Sequence, residues 1–182
     1  LATATNYVMQ GSAELSLATM NMYGGEISDL AHISDVYTLA AGKTAAGMED
    51  FKYAMSYVGP VSKNANVSLE ESVAMIGKLR DVGIPASTVG TSLRDGMQTL
   101  VAPTAAATKA LEAMGLKTSD VSLKSHKFID ALKIMKTQAD KTGEGAAAFI
   151  KVFGVTGDTL YNLAGMSDEV GELTTAFNNS AG

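Results

Sequence analysis

The chain has no cysteine and no tryptophan, and only three prolines among its 182 residues. Without cysteine it can form neither a disulfide nor a thiolate metal site, which fits a reducing, cytosolic compartment. Aromatic residues make up only 6% of the chain, so a core must be built mainly from Ala, Leu, Val, Ile and the ten Met. This composition favours helices over sheets.

An excess of one charge and a long apolar run are also missing. The 14 basic and 19 acidic residues give a net charge of −5 and form no long runs. The chain therefore lacks the electrostatic signature of nucleic-acid binding or of an anionic membrane surface. Its apolar stretch from Gly145 to Val155 is broken by Lys151 and is shorter than the roughly 20 residues that a membrane-spanning helix needs. We predict no nucleic-acid binding and no transmembrane segment.

The length suits one ordinary domain with its own core, so we expect residues 1–182 to form a single helical domain. The chain begins at Leu1 without an initiator Met and ends without a terminal signature. These ends are expected to be cuts from a longer polypeptide. The least regular stretch is 117–125, whose Ser, Thr and Asp side chains compete with the backbone for hydrogen bonds. A division into two lobes would fall there.

Apolar residues recur every three or four positions along nearly the whole chain, which is the period of an amphipathic helix. Two such stripes are Leu30, Ile33, Tyr37, Ala40 and Met48, Phe51, Met55, Val58. Further helices are predicted near 88–101, 104–114, 126–139, 145–153 and 167–178, the last with Val170, Leu173 and Phe177 inward. Alternating strand patterns joined by hairpin turns are not found. The predicted fold is all-α, a compact multi-helix bundle of short amphipathic helices joined by Gly/Pro turns.

The best-defined helix is predicted to begin at Ser68. The Ser68 hydroxyl can accept a hydrogen bond from a first-turn N–H, while the Glu71 carboxylate reaches back to the Ser68 N–H, forming a capping box. The apolar stripe of this helix is Leu69, Val73, Ile76, Leu79. Gly83 and Pro85 are predicted to end it, because glycine adopts the left-handed conformation and proline blocks continuation.

A glycine followed by an apolar residue recurs at Gly83-Ile84, Gly115-Leu116 and Gly154-Val155. This pattern is typical of a helix C-terminus whose next residue folds back onto the helix. We predict that all three are turns between packed helices.

Two glycine-containing segments weakly resemble nucleotide-binding motifs. The segment Gly42-Lys43-Thr44 matches the end of a phosphate-binding loop, but Tyr37 stands where the first glycine is needed and a helix precedes it. Gly143, Gly145 and Ala148 match a relaxed dinucleotide fingerprint, but they also follow a predicted helix instead of a strand. We interpret the second segment as a helix start rich in small residues, and we predict no cofactor.

Histidines and paired acids are the remaining candidates for chemistry. His32 could share a helix face with Asp29 or Asp35 as metal ligands or as an acid/base pair, although a solvated polar face is the simpler interpretation. His126, between two lysines, is assigned no chemistry. The pairs Glu49-Asp50, Glu70-Glu71 and Asp168-Glu169 fall in predicted first helical turns, where the helix dipole favours acids. No nucleophile has a base beside it, so we predict no enzyme and no catalytic or metal-binding residue.

The segment from Val58 to Leu116 resembles the core region of the phage tail tape measure family of the TP901 type. The matching features, in order, are Gly59-Pro60, Asp81-Val82-Gly83-Ile84, Gly90-Thr91-Ser92-Leu93-Arg94 and Ala102-Pro103-Thr104. Similarity continues weakly through 128–132 and 149–154, so that about four-fifths of the chain is covered. One departure is Gly47, where Ser or Thr is usual.

The resemblance implies a structural protein that threads the tail tube during assembly, fixes its length and is ejected ahead of the genome. It implies a place in the virion after assembly in the bacterial cytoplasm. The implied partners are tail tube, tail-tip and tail-assembly chaperone proteins, and a homo-oligomer is a further expectation.

Because glycines and Pro85 interrupt the helices, we expect a compact assembly hub and not the measuring rod itself. Rival interpretations are a membrane-interacting module released at genome ejection, a cell-wall hydrolase centred on Asp29, His32 and Asp35, and an unrelated helical adaptor.

Overall fold

In the computed structural model, ten α-helices and no strand occupy residues 2–180, which are the residues that the structure describes, with side chains from residue 11 onward. The helices are α1 (Ala2–Tyr23), α2 (Leu30–Lys43), α3 (Met48–Ser62), α4 (Leu69–Asp81), α5 (Ala86–Val101), α6 (Ala105–Ala113), α7 (Phe128–Lys141), α8 (Ala146–Phe153), α9 (Gly157–Gly165) and α10 (Ser167–Asn178). Short 3-10 turns span Ile27–Asp29, Thr118–Val121 and Gly154–Thr156. The all-α prediction is confirmed.

The five helices predicted between residues 88 and 178 appear within two residues of their expected bounds, as α5, α6, α7, α8 and α10. Helix α9 was not predicted. Its sequence begins and ends with glycine and contributes only Leu160, Leu163 and Ala164 to the apolar core. Glycine lowers intrinsic helix propensity by about 1 kcal/mol relative to alanine, so packing on the neighbouring helices maintains this short helix.

The predicted stripes form the core. Fully buried members include Tyr37, Phe51 and Ile76, whereas Leu30, Met48 and Leu173 lie partly buried at its margin. Among the side chains from residue 11 onward, four methionines are completely buried: Met55, Met75, Met97 and Met135. Their flexible side chains fill irregular gaps where few aromatic rings are available.

Helix α4 lies at the centre and contacts α2, α3, α5, α9 and α10. Helices α3 and α5 also pack closely, because Gly90 has no side chain: a Cβ there would lie 3.1 Å from the Ala54 Cα. The contacts of α4 with α10 and of α5 with α9 join residues on both sides of 117–125. In that segment Val121 and Leu123 are buried. A division into two lobes at this point stays a prediction.

At two of the three predicted glycine turns the residue after the glycine folds back onto the helix, as predicted. Gly83 and Gly115 have φ of +82° and +79°, and the residues after them donate to carbonyls five positions back, Ile84 to Leu79 at 3.2 Å and Leu116 to Leu111 at 2.9 Å. Leu116 is buried, as a folded-back residue should be.

At Gly154-Val155 a turn between two packed helices, α8 and α9, is present as predicted, but the prediction that the residue after the glycine folds back onto the helix is wrong. Gly154 has the expected positive φ of +68°, but Val155 is 97% exposed. The chain passes directly into a 3-10 turn and α9, so Thr156 points inward instead and donates to the Phe153 carbonyl at 3.2 Å. This sharp corner depends on Gly157, whose position lies against the backbone of Phe149.

Candidate functional site

A surface groove lies between α1 and α2 and is closed at one end by the start of α3. Its volume is about 630 Å³, and the residues that line it are Ser12, Ala13, Ser16, Leu17, Leu30, Ala31, Ser34, Thr38 and Met48. None of these described lining residues is charged. The groove combines aliphatic side chains with a row of hydroxyl groups, which suits contact with another protein segment better than chemistry.

One hydroxyl in the groove has no partner. Ser16 is only 4% exposed, and its Oγ forms no hydrogen bond with any described residue. A buried polar group without a partner costs about 1–3 kcal/mol. This unpaired hydroxyl is buried next to Leu17, whose side chain is exposed.

Helix α1 is attached to the bundle through buried hydroxyl pairs. The Thr19 Oγ1 lies 2.7 Å from the Tyr37 Oη, and the Tyr23 Oη lies 2.8 Å from the Ser72 Oγ. Burial raises the pKa of Tyr37 and, less strongly, that of Tyr23, so both phenols stay neutral and able to donate. These pairs hold the C-terminal half of α1 over α2 and α4 and thereby define one wall of the groove.

His32 does not meet Asp29 in the metal-ligand or acid/base arrangement that the sequence left open as an alternative. The Asp29 carboxylate accepts from the Glu26 N–H at 2.7 Å, whereas the His32 Nε2 lies 2.7 Å from the Glu70 Oε1 and its Nδ1 lies 3.0 Å from the Ser180 carbonyl. Asp35 contributes only a weaker electrostatic effect. Among the described residues no group of three potential metal ligands comes together.

The pKa shifts of this pair reflect mutual stabilisation. The hydrogen bond to Glu70 raises the pKa of His32, against the opposing effect of burial. Burial alone would raise the pKa of Glu70, but hydrogen bonds to His32, to its own backbone and to Ser68 lower it overall. The ionic form of the pair is therefore favoured on both sides.

The three acidic pairs lie in first helical turns, as predicted, in α3, α4 and α10. Capping is only part of their role, because several of these side chains also join helices. Asp50 pairs with Arg80 at 3.2 Å, Asp168 with Lys133 at 2.6 Å and Glu169 with Lys78 at 2.8 Å. Since all six side chains are at least partly accessible to solvent, each such pair contributes at most about 1 kcal/mol.

The capping-box prediction is half correct. The Ser68 Oγ accepts from the Glu71 N–H at 3.2 Å, but the Glu71 carboxylate does not return to Ser68. Instead its Oε1 accepts from the Ile129 N–H in the first turn of α7 at 3.2 Å. Lys127, the N-cap residue of α7, has no acceptor in its side chain. Glu71 thus supplies from α4 the cap that α7 lacks.

The remaining candidate motifs have structural explanations. Gly42 and Lys43 lie in the last turn of α2 and Thr44 caps it, so no phosphate-binding loop is formed there. Gly145 is the N-cap of α8, which confirms the interpretation as a small-residue helix start. The His126 Nδ1 lies 3.0 Å from the neighbouring Ser125 Oγ. Within residues 2–180 no helix is both long and apolar enough to cross a membrane.

Sequence reasoning missed the groove and the partner of His32. The groove had one available signal: Glu14 is the only charged residue among the first 25, which is unusual for a helix that faces water. The pairing of His32 with Glu70 spans 38 positions and has no local signal.

Comparison with known proteins places these features in context. A family model described as phage-related minor tail protein matches residues 1–154. The chain is 33% identical over 189 aligned positions to the probable tape measure protein of Escherichia phage P2, covering 100% of this chain and 23% of that protein. It is 34% identical over 122 positions to the tape measure protein of Pneumococcus phage Dp-1, covering 67% of this chain and 11% of that protein. The chain spans less than a quarter of either relative, and no solved structure matches it.

Proposed function

We propose, since this chain belongs to the phage-related minor tail protein family, that it is a structural segment of a tail tape measure protein that acts in tail assembly and in setting tail length. The family resemblance noted in residues 58–116 agrees with both relatives, which are tape measure proteins by name. The TP901 subtype stays a prediction. Membership of this family also leaves the unrelated-adaptor interpretation without support.

The observation that supports a particular role within the tape is the shortness of the helices. The longest, α1, has 22 residues and measures about 33 Å at 1.5 Å per residue. All 182 residues as one continuous helix would extend about 270 Å, whereas a folded chain of this size has a radius of gyration near 16 Å. We propose that residues 1–182 fold as one unit that serves as an assembly hub, and that other parts of the tape do the measuring.

The proposed partners are the tail tube, tail-tip and tail-assembly chaperone proteins, reached through exposed helical faces. We place assembly in the bacterial cytoplasm and the finished protein in the virion. The segment is proposed to act without catalysis, cofactor or metal, because His32, Glu71 and Glu169, which are among the groups that suggested chemistry, are engaged in joining helices. The rival membrane module rests only on the Met and Ala content, and leakage from liposomes loaded with dye would be its test.

Deletions in the parent gene test the hub. One in-frame deletion removes residues 1–182, and a matched deletion removes an equal length of helix elsewhere in the tape; tail length is then measured by electron microscopy. We expect the matched deletion to shorten tails by about 1.5 Å per residue and the loss of residues 1–182 to abolish assembly. Proportional shortening by both deletions would make this segment part of the ruler and overturn the hub.

A homo-oligomer is proposed through the groove between α1 and α2, with a second copy of this chain as its occupant. Two copies with a net charge of −5 each repel one another, so they meet at lowest electrostatic cost on a face without charges. Leu17 is 47% exposed at the groove wall. In a two-fold arrangement the Leu17 of each copy can enter the groove of the other, since such a contact uses the same patch twice.

Light scattering coupled to size-exclusion chromatography tests this contact. We expect the chain to form a dimer at high concentration and Leu17→Asp to remain a monomer, because a carboxylate would be buried at the interface. Val155→Asp is the matched control, since Val155 is also exposed but lies outside the groove. A wild-type monomer at every concentration, or equal dissociation by both variants, would exclude the groove as a self-association surface.

A further inference from the structure

His32 lies where three parts of the chain meet. It belongs to α2, its Nε2 faces the Glu70 carboxylate of α4 at 2.7 Å, and its Nδ1 faces the carbonyl of Ser180, two residues after α10, at 3.0 Å. Both partners are hydrogen-bond acceptors, because a carbonyl has no proton to give and the pKa of Glu70 is lowered.

This geometry selects one protonation state of the imidazole. Neutral histidine carries one N–H and one lone pair, so it can donate to only one of its two acceptors, whereas the imidazolium donates to both. Deprotonation therefore removes either the bond to Glu70 or the bond to Ser180. It also leaves a lone pair facing an oxygen at hydrogen-bond distance.

The helix dipoles reinforce the same state. Glu70 lies in the first turn of α4, where partial positive charge favours a carboxylate, and Ser180 follows the C-terminal end of α10, where partial negative charge favours a cation. The order in space is the N-terminus of α4, Glu70, His32 and the C-terminus of α10, so the charges alternate in sign. Asp35, on α2 itself, adds a weaker attraction to the imidazolium.

We propose that His32 is a pH-dependent latch: as the imidazolium it holds the C-terminal end of α10 against α4, and loss of its proton breaks the bond to Ser180 and releases Asn179 and Ser180. The body of α10 stays in place when the latch opens, because Val170 and Phe177 are fully buried in the core. The device therefore acts on the two residues Asn179 and Ser180 and not on the helix. It does not depend on the proposed role in the tail.

The sign of the effect follows from the direction of the pKa shift. His32 has a raised pKa in the folded chain, so its contribution to stability is complete below the ordinary histidine value near 6.5 and is lost as pH rises through the folded pKa. The latch is closed in mildly acidic solution and opens toward alkaline pH.

Proton NMR titration of the 182-residue chain tests the latch directly, since the chain has only two histidines. The His32 signals are assigned by their loss in His32→Gln. We expect the His32 midpoint to lie above the ordinary histidine value near 6.5, and Glu70→Gln to lower it. A His32 midpoint at or below the ordinary value, or no response to Glu70→Gln, would overturn the proposal.

The release itself needs a second measurement. Heteronuclear ¹⁵N NOE values at Asn179 and Ser180 should fall in the wild type as pH rises through the His32 midpoint. In His32→Gln, whose amide donates without titrating, the values should not change with pH. If the wild-type values stay constant while His32 titrates, the pair is an ordinary ion pair and no latch exists.

Discussion

Replacing Glu71 tests the idea that α4 supplies the cap for α7. Glu71 is 3% exposed, and its Oε1 accepts from the Ile129 N–H across 58 positions of sequence. That N–H is one of the first-turn donors that have no partner inside their own helix. In Glu71→Ala the donor is left buried and unpaired, whereas Glu71→Gln keeps an acceptor oxygen in nearly the same place.

The magnitudes separate the two variants. An unpaired buried N–H costs about 1–3 kcal/mol, to which the removed methylene and carboxyl group add a small cavity. Glu71→Gln loses the interaction of a charge with the α7 N-terminus, worth about 0.3–1 kcal/mol, but it also removes a buried charge. We expect Glu71→Ala to lower the free energy of unfolding by at least 1 kcal/mol more than Glu71→Gln does. In a chain of this size each kcal/mol lowers the melting temperature by about 2–4 °C.

Urea denaturation followed by circular dichroism at two pH values gives the assay and its strictest check. Burial raises the pKa of Glu71 in the folded chain above its ordinary value of 4.5. At a pH between the unfolded and the folded pKa, the folded chain therefore binds more protons than the unfolded chain. Stability from this group therefore falls as pH rises through the folded pKa. When the pH is lowered from 7 toward 4.5, the free energy of unfolding of the wild type should increase relative to that of Glu71→Gln. The reasoning would be refuted if Glu71→Ala and Glu71→Gln lowered the free energy of unfolding equally, or if acidification lowered that of the wild type relative to Glu71→Gln.

Two further comparisons use residues at glycine turns. Gly157→Ala should destabilise the fold by about 1–3 kcal/mol, because its Cβ would lie 2.5 Å from the Phe149 backbone. Gly42→Ala, with open space around it, should stabilise the fold by about 0.5–1 kcal/mol. Thermal melts in which Gly157→Ala is as stable as Gly42→Ala would contradict this packing. Leu116→Ala should lower the free energy of unfolding by about 2–5 kcal/mol, because the Leu116 side chain is only 5% exposed. Val155→Ala should lower it by less than about 0.5 kcal/mol, because Val155 is 97% exposed. Similar free energies for the two variants in urea titrations would contradict the difference between the two turns.

Local signals were sufficient to predict most of the helices and several of their ends. The apolar stripes depend on a period of 3.6 residues, which the sequence displays directly, and the Schellman-type turns at Gly83 and Gly115 depend on one left-handed residue. The error at Gly154-Val155 shows where this reasoning stops. The same dipeptide can fold back onto its helix or continue into another helix. Here it continues into α9, because Gly157 packs against the Phe149 backbone. The dipeptide itself contains no signal of this contact.

The site could be predicted less well than the fold, because its polar contacts join positions far apart in sequence. Glu71 has the spacing of a capping box, and its own N–H does bond to Ser68. The carboxylate goes elsewhere because the first turn of α7, 58 residues away, presents a buried donor whose N-cap residue, Lys127, offers no acceptor. An unsatisfied buried donor is costlier than a solvent-exposed one, so this long-range need outweighs the local pattern.

The same argument separates a structural histidine–carboxylate pair from a catalytic one. A general acid or base must present one nitrogen or oxygen to the atom whose proton it transfers. Both ring nitrogens of His32 face acceptors of the chain itself, and the Glu70 carboxylate that binds one of them is only 13% exposed. Neither group is directed toward the groove between α1 and α2, whose described lining is uncharged. His32, Glu70 and Glu71 therefore join α2, α4, α7 and the residues after α10 to one another, and the described lining of the groove is formed by other residues, none of them charged.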